Sequence, residues 1–151
     1  MREPSRPALA KLLIDCDPGH DDAVAILYAA RHCDVVGVTT VFGNQTVEKT
    51  TLNALRVLTL AGLSIPVAKG CGVPLVGEAP LAPDTHGASG LDGVDLPDPD
   101  RASLDRHAVE FIIETARTHR GELALAIIGA HTNVALALRL VAAGGAQPGQ
   151  L

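Results

Sequence analysis

The sequence predicts an α/β fold, with an open, mostly parallel, Rossmann-like sheet and helices on both faces. Short apolar, β-branched segments alternate with amphipathic segments of helical periodicity, which is the pattern of consecutive β-α units. The 151 residues are 47% hydrophobic but only 2% aromatic, and aliphatic residues of this kind suit buried parallel strands. We therefore expect one domain with right-handed crossovers, whose ligands bind beyond the carboxyl ends of the strands.

The first half of the domain predicts β-α-β-α-β. Residues 1–10 are expected to form a flexible leader, and the domain is expected to occupy residues 11–151. The apolar segment 12–16 stops at Asp17, Pro18 and Gly19, as a buried strand does when it ends in a turn. A helix is expected from Asp21, because acidic residues open the segment and basic residues close it. The remaining expected elements are a strand at 35–43, a helix at 46–61 and a strand at 65–70.

The second half begins with a segment rich in Pro, Gly and Asp at residues 70–102, which we interpret as a candidate lid because long loops in compact domains are usually functional. A helix is expected at 104–119, a strand at 123–129 and a helix at 133–142, followed by Gly-rich coil. Four strands make a thin sheet with an exposed edge, so the domain is expected to lack a partner segment.

Composition excludes several classes of protein. Seventeen acidic residues against twelve basic ones give a net charge of −5, and no Lys/Arg cluster is present for phosphate binding, so no nucleic-acid partner is expected. No segment has the length and apolarity of a membrane span or a secretory signal, which predicts a cytoplasmic protein. The three cysteines are widely spaced and predict reduced thiols. A small molecule or a metal ion is the favoured partner.

Four carboxylates are crowded into the first strand-to-helix turn: Asp15, Asp17, Asp21 and Asp22. Like charges at this spacing raise each other's pKa unless a cation or several hydrogen-bond donors compensate them. A purely structural explanation is available for one or two of them. Asp21 could cap the helix, Asp22 could favour its positive end, and Asp15 could accept from neighbouring amides. That explanation does not extend to all four.

A hard divalent cation is the natural compensation for this cluster. Calcium takes about six to eight oxygen ligands, often including a bidentate carboxylate and a backbone carbonyl. Asp17 and Asp22 can point into the same crevice because Pro18 and Gly19 reverse the chain between them. The segment is not an EF-hand, since Ile26 stands where that loop requires a bidentate Glu.

These residues also carry a family resemblance. The segment DCDPGHDDAVAI (residues 15–26) is similar to the N-terminal signature of the inosine-uridine-preferring nucleoside hydrolase family. VTTVFGNQT (38–46), THGASGLDG (85–93) and HTNVALAL (131–138) resemble further blocks of that family, in order. The resemblance implies a truncated nucleoside hydrolase fold, with this chain as its N-terminal half.

The resemblance implies a metal centre and a catalytic base. Asp17 matches the catalytic residue, which binds Ca²⁺ (calcium) and deprotonates the water activated on it, and Asp22 matches the bidentate metal ligand. Thr132 matches the position whose backbone carbonyl is a further metal ligand. Ala130 and His131 depart from the Pro and Leu that the family usually has there, which affects the expected pose of that loop.

The resemblance also implies a sugar site. Asp21 and Asn44 match residues that bind the ribose of a nucleoside, His86 is expected to line the pocket, and Asp15 has a supporting role. The implied reaction is hydrolysis of the N-glycosidic bond of a ribonucleoside, giving ribose and a free base for purine or pyrimidine salvage. A homodimer or homotetramer is implied for the full-length form.

The same resemblance implies an incomplete site, because the later half of the family supplies another calcium-binding Asp and a His near the leaving group. We therefore expect this chain alone to bind calcium weakly and to hydrolyse nucleosides poorly or not at all. Two alternatives remain open. One is a haloacid-dehalogenase-like, metal-dependent phosphatase, which begins with a pair like Asp15 and Asp17 but has no use for Asp21 and Asp22. The other is a non-catalytic truncated homologue.

Overall fold

The computed structural model describes residues 10–79 and 81–144, so the predicted leader and the final coil lie almost wholly outside the described residues. It contains a four-stranded, fully parallel sheet of order β3-β2-β1-β4. The elements follow one another as β1 (Lys11–Cys16), α1 (His20–His32), β2 (Asp34–Thr40), α2 (Val47–Leu60), β3 (Val67–Lys69), α3 (Pro83–His86), α4 (Ala108–Thr118), β4 (Leu123–Ile127) and α5 (Thr132–Ala142).

Helices cover both faces of the sheet, which confirms the predicted fold class. Adjacent residues of a strand point to opposite faces, and Ile14 and Leu13 of β1 accordingly lie in two separate hydrophobic clusters. Ile14 packs in the cluster that α1 and α2 cover, which includes Ile26 and Leu58. Leu13 packs with Val109 of α4 and with α5 on the other face. The sheet is therefore the middle layer of a three-layer domain.

Parallel pairing brings the carboxyl ends of β1, β2 and β4 to one edge. Asp15 lies opposite Thr39 on β2 and opposite Ile127 on β4. The register between β1 and β2 shifts between Leu12 and Leu13, where β2 carries one extra residue. The acidic turn that follows β1 therefore emerges at the centre of the sheet, flanked by the loops that leave β2 and β4.

Several predicted boundaries were wrong, and β4 is one of them, since it ends at Ile127 and not at residue 129. β2 ends at Thr40 and not at residue 43, because the next residues leave the sheet: Phe42 N donates to Cys71 O at 3.1 Å. β3 is confined to Val67–Lys69. α4 begins at Ala108 and not near Leu104, because Leu104 N donates to Val67 O at 2.8 Å and extends the sheet by one bridge.

The central part of the long segment after β3 is hydrogen-bonded to side chains of α2 and of the loop that precedes α2. Three polar side chains in or just before α2 donate to three successive carbonyls of this segment. The pairs are Gln45 Nε2 with Gly87 O at 2.9 Å, Lys49 Nζ with Ala88 O at 2.6 Å, and Asn53 Nδ2 with Ser89 O at 2.9 Å. The segment has one short helix, α3, immediately before these contacts. Its action as a lid stays a prediction.

Two further features bear on the class of protein. The thiol of Cys16 is buried, those of Cys33 and Cys71 are partly buried, and all three are free. Within residues 10–79 and 81–144, no helix combines the length and apolarity needed to cross a membrane.

Candidate functional site

The four aspartates of the predicted cluster lie around the end of β1 and the first turn of α1. Asp15 belongs to β1, Asp17 directly follows β1, and Asp21 and Asp22 lie in the first turn of α1. Asp15, Asp17 and Asp22 are buried, with exposed fractions of 0%, 9% and 4%, whereas the Asp21 side chain is 81% exposed. Three carboxylates are thus withdrawn from water and one is free to meet a ligand.

The Asp17 carboxylate is held in a narrow gap between two glycines. Asn44 N donates to its Oδ2 at 2.7 Å. A Cβ on Gly43 would overlap that same oxygen, and a Cβ on Gly129 would lie 2.7 Å from Oδ1. Both positions therefore need glycine for the loops after β2 and β4 to approach the carboxylate this closely.

Asn44 connects Asp17 to Asp22. Its Nδ2 donates to the Asp17 carbonyl at 2.9 Å and to Asp22 Oδ2 at 3.3 Å. Asp22 Oδ2 also accepts from Gly19 N at 3.1 Å, so Asp22 caps the N-terminus of α1. The two carboxylates predicted to share a metal therefore converge on one asparagine.

Burial and mutual repulsion disfavour the ionised forms of Asp17 and Asp22. Burial raises the pKa of Asp22 to about 6, and the charges of Asp17 and Asp21 add to the rise, against the hydrogen bond from Gly19. Burial also raises the pKa of Asp17, against the hydrogen bond from the Asn44 amide. A nearby cation would stabilise the ionised form of both carboxyls, because an opposite charge favours that form.

Asp15 lies beneath this pair and is bonded to two residues that sequence reasoning missed. Its Oδ1 accepts from Thr39 Oγ1 at 2.6 Å and from Asn133 Nδ2 at 2.8 Å, while its buried Oδ2 has no hydrogen-bond partner among the residues that the structure describes. Burial raises the pKa of Asp15, against these two hydrogen bonds. Thr39 and Asn133 both stood within the blocks VTTVFGNQT and HTNVALAL, and polar residues at buried positions of a strand and a helix were the available signal.

Asp21 and His86 lie close together on the exposed side of the acidic turn, next to His20; we refer to this side as the mouth of the site. His86 Nε2 lies 3.9 Å from Asp21 Oδ1. The rings of His86 and His20 stack with centroids 5.4 Å apart, and their Nδ1 atoms are 3.1 Å apart. His86 therefore borders the acidic turn, and its role in lining a substrate pocket stays a prediction. His20 was not predicted, although it stands in the signature next to Asp21.

Thr132 is buried and is the first residue of α5, one position earlier than the predicted start of that helix. Its neighbour Asn133 reaches Asp15, so the first turn of α5 lies against the acidic cluster. No group of three or more His, Cys, Asp or Glu side chains suited to a metal occurs in the part of the chain that the structure describes. A metal at Asp17 and Asp22 would therefore need backbone carbonyls, water or other groups to complete its shell.

Comparison with known proteins gives consistent results at the sequence level. Residues 12–143 match the family described as inosine-uridine preferring nucleoside hydrolase. The chain is 40% identical over 132 residues to the pyrimidine-specific ribonucleoside hydrolase RihB of Escherichia coli O1:K1 / APEC. That match covers 86% of this chain and 42% of the relative, so the chain spans about two fifths of the length of such relatives.

Solved structures agree with the sequence comparison. A purine-preferring ribonucleoside hydrolase from Gardnerella vaginalis superposes with a TM-score of 0.82 at 32% identity, over 85% of this chain and 43% of that one. A plant nucleoside hydrolase, the PpNRh1 enzyme, superposes with a TM-score of 0.78 at 36% identity, over 86% and 42%. The predicted nucleoside hydrolase fold is confirmed, and the chain belongs to the inosine-uridine preferring nucleoside hydrolase family.

Proposed function

We propose that this chain supplies the calcium-binding and ribose-binding part of a ribonucleoside hydrolase, which splits the N-glycosidic bond into ribose and a free base. The observation that carries the proposal is the convergence of the buried Asp17 and Asp22 carboxylates on Asn44. The names of the relatives support the reaction class, since those proteins are ribonucleoside hydrolases.

The donor atoms of the site suit calcium. Asp17 and Asp22 offer carboxylate oxygens, which hard divalent cations prefer. Burial, and after it the charges of Asp17 and Asp21, raises the pKa of Asp22 to about 6, and a bound cation would favour its ionised form. The Thr132 carbonyl would be the weakest donor, because in the first turn of α5 it also serves the helix. When bound, calcium supplies Lewis acidity, which orients a water and lowers its pKa.

Asp17 is the proposed general base. Its Oδ2 accepts from the Asn44 amide, and Oδ1 is the oxygen proposed to take a proton from water. Burial raises the pKa of this carboxyl toward the operating pH, and a base works best there. The glycines on either side keep other side chains away from Oδ1 and Oδ2.

Asp21 and Asn44 are the proposed ribose contacts. The exposed Asp21 carboxylate can accept hydrogen bonds from sugar hydroxyls without first losing a strong protein partner. The Nδ2 of Asn44 is already engaged by Asp17 and Asp22, so only its Oδ1 is available to a sugar hydroxyl. His86, at the mouth, would border the sugar on the side of Asp21.

The choice of nucleobase is proposed to lie outside the matched part. The relatives that share this part are named pyrimidine-specific, purine-preferring and inosine-guanosine enzymes. These names differ in the nucleobase that each enzyme prefers. A segment that all of these proteins share is therefore suited to bind what their reactions have in common, the ribose and the metal.

The proposal is tested by titrating the 151-residue chain with calcium, followed in ¹⁵N-resolved NMR spectra, and by measuring ribose release from uridine and inosine. We expect weak, saturable calcium binding that shifts the Asn44 amide and is lost in Asp22→Asn, and little or no ribose release. Asp98→Asn, at an exposed carboxylate, is the matched control and should bind calcium as the parent does. Absence of calcium binding would refute the proposed metal site.

Two enzymatic results separate the alternatives. Full turnover of nucleosides by the isolated chain would show that the site needs no further groups. Hydrolysis of a phosphate ester with magnesium would favour the haloacid-dehalogenase-like phosphatase. The family match speaks against that alternative.

A further inference from the structure

We propose that Asn133 is a positioning residue that sets the geometry of this metal site, an inference that rests on the function proposed above. Asn133 lies in the first turn of α5 and is completely buried. Its Nδ2 donates to Asp15 Oδ1 at 2.8 Å and to the Thr40 carbonyl at 3.0 Å, and its Oδ1 accepts from Cys71 N at 2.9 Å.

The three partners of Asn133 come from three different parts of the sheet edge. Asp15 is near the end of β1, Thr40 ends β2, and Cys71 follows β3. One side chain on α5 therefore ties the ends of three strands to the helix that follows the fourth. Both amide protons and the amide oxygen are used, and a Cβ on Gly70 would overlap that oxygen. Only a primary amide in this position supplies two donors and one acceptor at once.

The link from Asn133 to the proposed metal ligands is short. Thr132, the proposed carbonyl donor, precedes it in the chain. The Asp15 carbonyl accepts from Gly129 N at 3.3 Å, and Gly129 borders the Asp17 carboxylate. Displacing Asn133 would therefore move the ligand-bearing turn of α5 relative to Asp17.

The Asp15 carboxyl depends on Asn133 for half of its hydrogen bonding. Its Oδ1 accepts from Asn133 and Thr39, while its buried Oδ2 has no partner within residues 10–79 and 81–144. Without Asn133, Thr39 alone would orient a buried acid directly under the site. Groups that orient metal ligands in this way typically change metal affinity by about 10- to 100-fold when they are removed.

A role confined to packing makes a different prediction. It requires that an Asn133 substitution weaken the fold and leave calcium affinity unchanged in the molecules that remain folded. Leu58→Ala provides the matched control, because Leu58 is fully buried in α2, remote from the carboxyl ends of the strands. This substitution is expected to lower stability, and it changes no residue of the acidic cluster.

The test uses NMR titrations of the 151-residue chain with calcium, in the parent, Asn133→Asp and Leu58→Ala. Asn133→Asp retains an acceptor for Cys71 and, when ionised, has neither of the two donors. We expect its dissociation constant for calcium to rise about tenfold or more, and that of Leu58→Ala to stay within about twofold. In the calcium-free spectra, the Asn44 and Gly129 amides should shift in Asn133→Asp only.

Further variants keep the test decisive. Asp15→Asn combined with Asn133→Asp restores a donor and an acceptor between the two side chains and should return the Asn44 and Gly129 amides toward their parent positions. If Asn133→Asp does not fold, Asn133→Ser, which adds no charge beside Asp15, replaces it. Equal effects of the Asn133 variant and Leu58→Ala, in affinity and in spectra, would overturn the proposal. If the parent binds no calcium but the two amides still shift only in the Asn133 variants, the positioning role stands and the metal site fails.

Discussion

Replacing Asp22 with Asn should stabilise the protein when calcium is absent, although Asp22 is one of the residues most directly tied to the proposed function. The carboxylate is buried and faces Asp17 and Asp21, so its ionised form is disfavoured in the fold. Asparagine has nearly the same shape, and its Oδ1 can accept from Gly19 N and Asn44 Nδ2 as Asp22 Oδ2 does. The substitution therefore removes a charge and keeps the hydrogen bonds.

The magnitude follows from the pKa of Asp22. The rise from 3.8 to about 6 corresponds to about 3 kcal/mol, or roughly a 150-fold change in the folding equilibrium. Between these two values the unfolded chain loses the proton while the folded protein keeps it. The native state then binds more protons, so the contribution of Asp22 to stability falls as the pH rises. Above about pH 6 both states are ionised, and the folded protein carries the full penalty.

The measurement is urea unfolding of the parent and Asp22→Asn in a chelator, at a series of pH values from 4 to 8. We expect the variant to be more stable by about 3 kcal/mol at pH 8, and the two proteins to become equal near pH 4. Asp98→Asn is the control, because an exposed carboxylate in a surface ion pair should change the free energy of unfolding by less than about 1 kcal/mol.

Calcium should reverse the order of stability. It binds the folded parent and raises the parent's free energy of unfolding as its concentration rises, whereas Asp22→Asn lacks the ligand and should not respond. A variant that is less stable than the parent at pH 8 in chelator would refute the reasoning, because it would mean that the Asp22 charge is already compensated within the protein.

Three further predictions concern the surroundings of the site. Gly129→Ala should lower the free energy of unfolding by about 1–3 kcal/mol in urea titrations, because its methyl would lie 2.7 Å from Asp17 Oδ1; an unchanged midpoint would contradict the gap described above. Asp21→Asn should change stability by less than about 0.5 kcal/mol, since its side chain is 81% exposed, but should weaken ribose binding measured by NMR; unaltered ribose binding would exclude Asp21 as a contact. Gly87→Ala, at φ +79° and against the Asp92 carboxyl, should loosen the loop and speed its cleavage by proteases, and unchanged cleavage would argue against that anchoring.

The sequence was sufficient for the fold class and for the elements with a clear period. The LLIDC segment became β1 and the helix after the acidic turn became α1, because apolar periodicity and terminal charges agree there. Asp17 and Asp22 both accept hydrogen bonds from Asn44, whereas the shared crevice expected for them stays a prediction. The roles assigned to them in catalysis and metal binding stay predictions.

The sequence was insufficient where long-range pairing decides the structure. The segment at Leu104 has a helical composition, but its amide is taken by Val67 O, a contact 37 residues away in sequence that no local pattern encodes. The partners of Asn133 are likewise far along the chain, at Asp15 and Thr40. Local periodicity indicates that such a residue lies on a helix, but not which strand ends it joins.

The irregular pairing of β1 with β2 has a consequence for how this fold tolerates change. Leu12 lies opposite Val35 and Leu13 opposite Gly37, so Val36 is a surplus residue at the bulge. On the amino-terminal side of the bulge, Lys11 of β1 pairs with Asp34 of β2. On the carboxyl-terminal side, Asp15 lies opposite Thr39. A one-residue difference in length between the two strands is thus accommodated at Val36, and the acidic end of the sheet stays in register above it.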